Sequence, residues 1–176
     1  SPLVDIFKTK RWWIVMMQII MSAAFVLLTF SIPHPSNEVI DGMNTPISMF
    51  TFTLILFVIT AFASATHDIA ADGFYMIALD HGQQSFFVGI RSTFYRLSSI
   101  FGQGVLVVIA GLLEEKTGNI PMAWMLTMAT TAVLFSLITL YHTFAIPHPS
   151  GDKSVNESGG SFGGEFAQAF VTFFKK

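Results

Sequence analysis

"ISMFTFTLILFVITAFASATHDIAADGF", residues 47–74, decides how this chain folds. Its first twenty residues, 47–66, hold no charged side chain, and the next six bring His67, Asp68 and Asp72 together. At 1.5 Å per residue, twenty residues make a helix of about 30 Å, the thickness of a bilayer's hydrocarbon core. A soluble helix of that length would turn a charged face to water, and this run has none to turn. Three further runs have the same character: 12–32, 97–113 and 122–144. The chain is 52% hydrophobic with 19 phenylalanines and only 11% charged residues, whereas soluble domains are about a quarter charged. The expected fold is therefore an all-α membrane protein with four transmembrane helices.

Extended to their polar boundaries, the helices are expected at 12–32, 47–79, 86–113 and 122–144. Residues 1–11, a turn at 80–85 and a tail at 145–176 fall on one side; loops 33–46 and 114–121 fall on the other. Lys8, Lys10, Arg11, Arg91, Arg96, Lys153, Lys175 and Lys176 lie on the first side or at its helix ends, and only Lys116 on the second. The positive-inside rule makes the first side cytoplasmic, with both ends of the segment there. Trp12, Trp13 and Trp124 are then expected at the interfaces. The first run follows a basic cluster, "KTKR", with no small-residue cleavage site near its end, and reads as a retained helix rather than a signal peptide. The chain has no cysteine, which excludes disulfides and thiolate metal sites.

"IPHPS" occurs at 32–36 and again at 146–150, each time closing a span. Proline after a helix end is a terminator, and the topology puts His34 and His148 on opposite sides of the membrane, so the repeat reads as two stops and not as a paired pH sensor. Residues 150–164 are polar and glycine-rich, the composition of a linker. Beyond them, Phe166, Phe170, Phe173 and Phe174 recur at helical spacing before two lysines, the pattern of an amphipathic helix in the headgroup layer.

Asp68 and Asp72 are four residues apart and share a helix face. With the turn "DHGQQ" centred near Gly82, Asp72 and Arg91 lie at matching depths, as do Asp68 and Arg96. A lone charge at mid-bilayer costs about 2.5–3.5 kcal/mol, so two acids opposite two bases read as mutual compensation. Three functions compete for the cluster: a structural ion-pair network, a proton or substrate site, and a metal site using His67, Asp68, Asp72, Asp80 and His81. The metal reading is the weakest, because adjacent His67 and Asp68 point about 100° apart on a helix. Ala61, Ala65, Ala70, Ala71, Gly73, Ser98, Gly102, Gly104 and Gly111 are packing positions. Gln18 and Gln103 are amides inside apolar runs, and each needs a partner on a neighbouring helix or in a cavity.

The motifs "SPLVD" followed by "KTKRWW", "ATHDIAADGF" and "GIR" at 89–91 resemble the AmpG-type muropeptide permease family of the major facilitator superfamily. There the patterns are Pro-Leu-Val-Asp with basic residues and Trp after helix two, Ala-Thr-x-Asp-Ile-x-x-Asp on helix four and Gly-x-Arg on helix five. The resemblance implies that the four spans are helices three to six of twelve, in the N-terminal six-helix half, and that the tail joins the two halves. It implies a multi-pass protein of the bacterial inner membrane that imports an anhydro-muropeptide or related amino-sugar compound by proton-coupled alternating access. Its partners are then the lipid bilayer, a small-molecule solute, protons and the remainder of the same transporter. No enzyme activity, cofactor, metal or nucleic-acid partner is implied. Asp68, Arg96, Gln103 and Gln18 are the candidates for substrate or proton coupling. Asp72 and Arg91 are the gate-side charge pair, and Asp5 steadies the closed cytoplasmic gate. Transport of another sugar or an organic anion stays open, as does a non-transporting scaffold module, although a scaffold has no need of buried charge pairs.

Overall fold

The computed structural model describes residues 8–32, 49–152 and Val171. Among these, all regular structure is helical: α1 (Lys10–Ser31), α2 (Met49–Ala78), α3 (His81–Ile100), a π-helical turn (Phe101–Val105), α4 (Leu106–Thr117) and α5 (Ile120–Ala145). The segments α3, π turn and α4 run on as one rod, His81–Thr117, so four helices are long and apolar enough to cross a membrane. The chain is an all-helical, multi-pass membrane protein on that count.

Local chemistry places the helix ends, and it moves several of the expected boundaries. The turn expected at 80–85 shrinks to Leu79 and Asp80, because Asp80 accepts from the Gln83 backbone N–H while the Gln83 side chain reaches back to the Asp80 N–H. This capping box starts α3 at His81 and takes Gly82 into the first turn, overriding glycine's preference for loops. The loop expected at 114–121 shrinks to Gly118 and Asn119. Gly118 ends α4 in the left-handed conformation, with φ of 64°. Asn119 then caps α5 at once, its side chain accepting from Met122 N at 3.0 Å. At the other end of the first span, Thr9 Oγ1 accepts from Trp12 N and α1 begins two residues before its apolar run.

Helix α1 lies against both α2 and α5, and α4 lies against α5. Two small cores carry the α1 contacts. Ile14 and Ala70 pack with Trp13, Ala71, Phe74 and Ile146, while Met17, Met21 and Ala63 pack with Met16, Ile20 and Phe135. Ala63 and Ala70 are seven apart and so face the same way, which lets α1 approach the α2 backbone. Trp13 therefore packs inward while Trp12 is exposed. Threonines within the spans remain compatible with an apolar surround by bonding their own helix: Thr60, Thr66, Thr127, Thr131 and Thr139 each donate to the carbonyl four residues back.

Candidate functional site

Gln18 is the buried polar centre of the packed helices, with 4% of its surface exposed. Its Nε2 lies 3.1 Å from His67 Nε2 on α2 and 2.7 Å from His142 Nδ1 on α5. One amide nitrogen thus joins three spans, and Oε1 is buried with no partner among the described residues. An amide N–H pair can donate to two unprotonated ring nitrogens, so this arrangement suits two neutral imidazoles. His67 turns its other nitrogen toward Asp68, with Nδ1 to Oδ1 at 3.7 Å. One turn along α1, Ser22 and Thr139 share a hydroxyl hydrogen bond of 2.9 Å. The polar contacts of α1 with α5 therefore continue along the seam.

Asp72 forms an ion pair with Arg91, whose Nη1 donates to Oδ1. The Tyr75 hydroxyl donates to the Gln84 carbonyl beside the turn, so two contacts tie α2 to α3. The second pairing expected from depth, Asp68 with Arg96, is not formed: Asp68 faces His67, and Arg96 is exposed without an ion pair among the described residues. The moved turn supplies the reason. Counted from Asp80, Asp72 is eight residues back and Arg91 eleven forward, whereas Asp68 is twelve back and Arg96 sixteen forward. The first offset is about 4.5 Å, within an arginine's reach, and the second about 6 Å between helices that are not closely packed along their length.

Gln103 sits in the middle of the π turn, flanked by Gly102 and Gly104, and its side chain is exposed without a partner among the described residues. The Leu106 N–H reaches back to the Phe101 carbonyl, the five-residue step of a π turn. Asp5 lies outside the described residues, as do His34 and the phenylalanines of the amphipathic tail. Among the described residues no three His, Asp or Glu side chains gather as metal ligands do.

A clasp at one end of the bundle joins the first described helix to the segment after the last. Arg11 donates through Nε to the Ile146 carbonyl at 3.0 Å and through Nη2 to the Thr143 carbonyl at 2.7 Å. Asp152 returns the contact, its two carboxylate oxygens accepting from Lys10 N at 2.7 Å and Arg11 N at 2.9 Å. A cation thus meets the negative end of α5 and an anion the positive end of α1. The start of the expected linker is therefore structured: Asp152 N donates to the Pro149 carbonyl, and Gly151 sits against Ile77.

Sequence reasoning found Gln18, Asp72 and Arg91 but gave no part to His142, Arg11 or Asp152. The signal for His142 was present, since it is the only titratable side chain between 122 and 144 apart from Tyr141. Asp152 carried no such signal, because a carboxylate in a glycine-rich segment reads as linker. Compared with known proteins, the chain matches no family model, no curated protein and no solved structure.

Proposed function

We propose that this chain is four helices of the N-terminal half of a secondary transporter, of the AmpG-type muropeptide permease family within the major facilitator superfamily. It moves a polar solute inward across a bacterial inner membrane by proton-coupled alternating access, with both ends of the segment cytoplasmic. The observation that carries this reading is the three-helix polar bridge of Gln18, His67 and His142 in otherwise apolar spans. Titratable side chains at such positions are costly in lipid and mark ion or substrate paths. The Asp72–Arg91 pair supports it as a tie near the cytoplasmic turn that a rocking motion can break and remake. Asp68, Arg96, Gln103 and Gln18 remain the residues proposed to meet proton or solute, and Asp5 the one proposed to steady the closed gate.

An anhydro-muropeptide or related amino-sugar compound is the first cargo to test. A second reading, another sugar or an organic anion, is favoured by departures from the family's pattern: the polar position within the helix-four motif is His67, and "YMIAL" at 75–79 replaces the basic and acidic residues that often follow. The test is uptake by the full-length protein in bacteria that lack their own muropeptide permease. Labelled anhydro-muropeptide should accumulate and should stop when the proton gradient is collapsed. Accumulation of a sugar or organic anion alone selects the second reading. If no member of the three classes accumulates in cells with normal membrane levels of the protein, the transport reading fails and the scaffold reading replaces it.

A further inference from the structure

The Gln18 amide presents one atom to two imidazoles and strands the other. Nε2 meets both His67 Nε2 and His142 Nδ1, while Oε1 is buried without a donor. A buried carbonyl oxygen that accepts nothing costs about 1–3 kcal/mol, and the reversed amide leaves its NH2 group unpartnered there instead, so the protonation of the two rings decides which orientation is preferred. Reversing the amide by half a turn puts Oε1 where Nε2 now lies, and that oxygen can accept from two ring N–H groups at once.

The two orientations require different protonation of the rings. With Nε2 facing them, His67 Nε2 and His142 Nδ1 must both be bare, so each ring is neutral and carries its proton on its other nitrogen. With Oε1 facing them, both of those nitrogens must carry a proton. His67 satisfies this by taking up one proton at Nε2, becoming an imidazolium whose Nδ1–H points to the Asp68 carboxylate 3.7 Å away. His142 satisfies it by moving its proton from Nε2 to Nδ1, with no change in charge. The sum is one proton gained from water and one amide reversed.

We propose that Gln18, His67 and His142 form a single-proton binding site in which the Gln18 amide reverses as the proton is taken up. The charge belongs on His67, because Asp68 is the carboxylate beside the pair. Tyr141 on α5 leans against the His142 ring at 5.8 Å between centroids. Asp72, one turn beyond Asp68, is held by Arg91. On α1 the nearest charges are Arg11 and Lys10, seven and eight residues before Gln18 and so about two turns away. Asp68 is the more exposed of the two, with 66% of its side chain exposed against 22% for His67. This deepens the transport reading by naming its proton carrier, and rests on it only for the use made of the proton.

The test is ¹⁵N imidazole NMR of the full-length protein in lipid nanodiscs, with the two rings assigned from His67→Asn and His142→Asn. As pH falls from about 8 to 5, the window in which histidines titrate, His67 should become doubly protonated. Within the same step, the His142 proton should move from Nε2 to Nδ1. In Gln18→Leu, or in Gln18→Met should the first variant fail to fold, His67 should titrate while the His142 tautomer stays put. A wild-type His142 tautomer that does not follow His67, or a His67 that takes no proton in this window, overturns the proposal whatever the Gln18 variants do. Because the readout is proton occupancy, a tautomer switch in a protein that transports nothing removes the transport reading and keeps the site. Uptake without the switch removes the site and keeps transport.

Discussion

The two halves of this molecule handle polar groups in opposite ways. In the α1–α2–α5 group, buried polar side chains find one another across helices, as Gln18 does with two histidines and Ser22 with Thr139. Along the His81–Thr117 rod, Arg96 and Gln103 stand exposed with no partner among the described residues. Burial follows the same division: 44% of the most apolar stretch of α1 is buried, against 6% for the rod. Apolar exposure alone is natural in lipid, where tails are as good a solvent as leucine. A guanidinium and an amide on the same rod are not, since such groups face a bundle interior or a water-filled cavity. The comparison teaches that polar contacts between helices hold the packed group together, whereas the described residues offer the rod's polar face no partner.

The comparison breaks most visibly at the ties between the two regions. In the full-length protein, Asp72→Asn and Arg91→Gln should each abolish solute uptake, because either breaks the tie between α2 and α3 and leaves one charge without its partner. The swap Asp72→Arg with Arg91→Asp should restore part of it. A swap as inactive as the singles, at normal membrane levels, would show that the pair does more than join the rod to the packed group.

A smaller effect belongs to the clasp within the packed group. Asp152→Ala removes two charge-assisted hydrogen bonds from the start of α1 and should cost about 1–3 kcal/mol, read as a lower melting temperature of the purified protein in detergent. Arg11→Lys should lose nearly as much as Arg11→Ala, since an ammonium has no planar fork to hold the Thr143 and Ile146 carbonyls together. If the melting temperature does not move, the packed helices are held by apolar contact alone.

The smallest stability effect should come from Gln103→Leu, within about 0.5 kcal/mol, because nothing described is bonded to that amide. Its uptake should nevertheless fall. A large loss of stability there would mean that the rod's polar face is a packing surface and not a path.

The spans were legible because run length and missing charge are physical requirements of a bilayer, which no local detail can override. The turns were less so. Gly82 looked like a turn residue until Asp80 and Gln83 paired around it, and Gly118 with Asn119 did in two residues what eight were expected to do. That error propagated into the site, since moving the turn kept Asp72 within reach of Arg91 and took Asp68 away from Arg96. The polar bridge was half legible. An amide in an apolar run demands a partner, but which helix supplies it depends on how α1 inserts between α2 and α5, and spacing along the chain says nothing of that. The π turn could have been suspected from "FGQGV", where two glycines flank a polar residue inside an apolar span.

The clasp also carries information about time. Lys10 and Asp152 are 142 residues apart, so their bond closes nearly the whole described chain into a ring. Closing so long a loop is slow compared with forming the short hairpin at Leu79–Asp80, and in synthesis it must wait until Asp152 has left the ribosome. Until then the first N–H groups of α1 are held by water and by the Thr9 hydroxyl. Arg11 and Asp152 therefore act as a completion seal: the start of α1 is locked only once the chain has been made past α5.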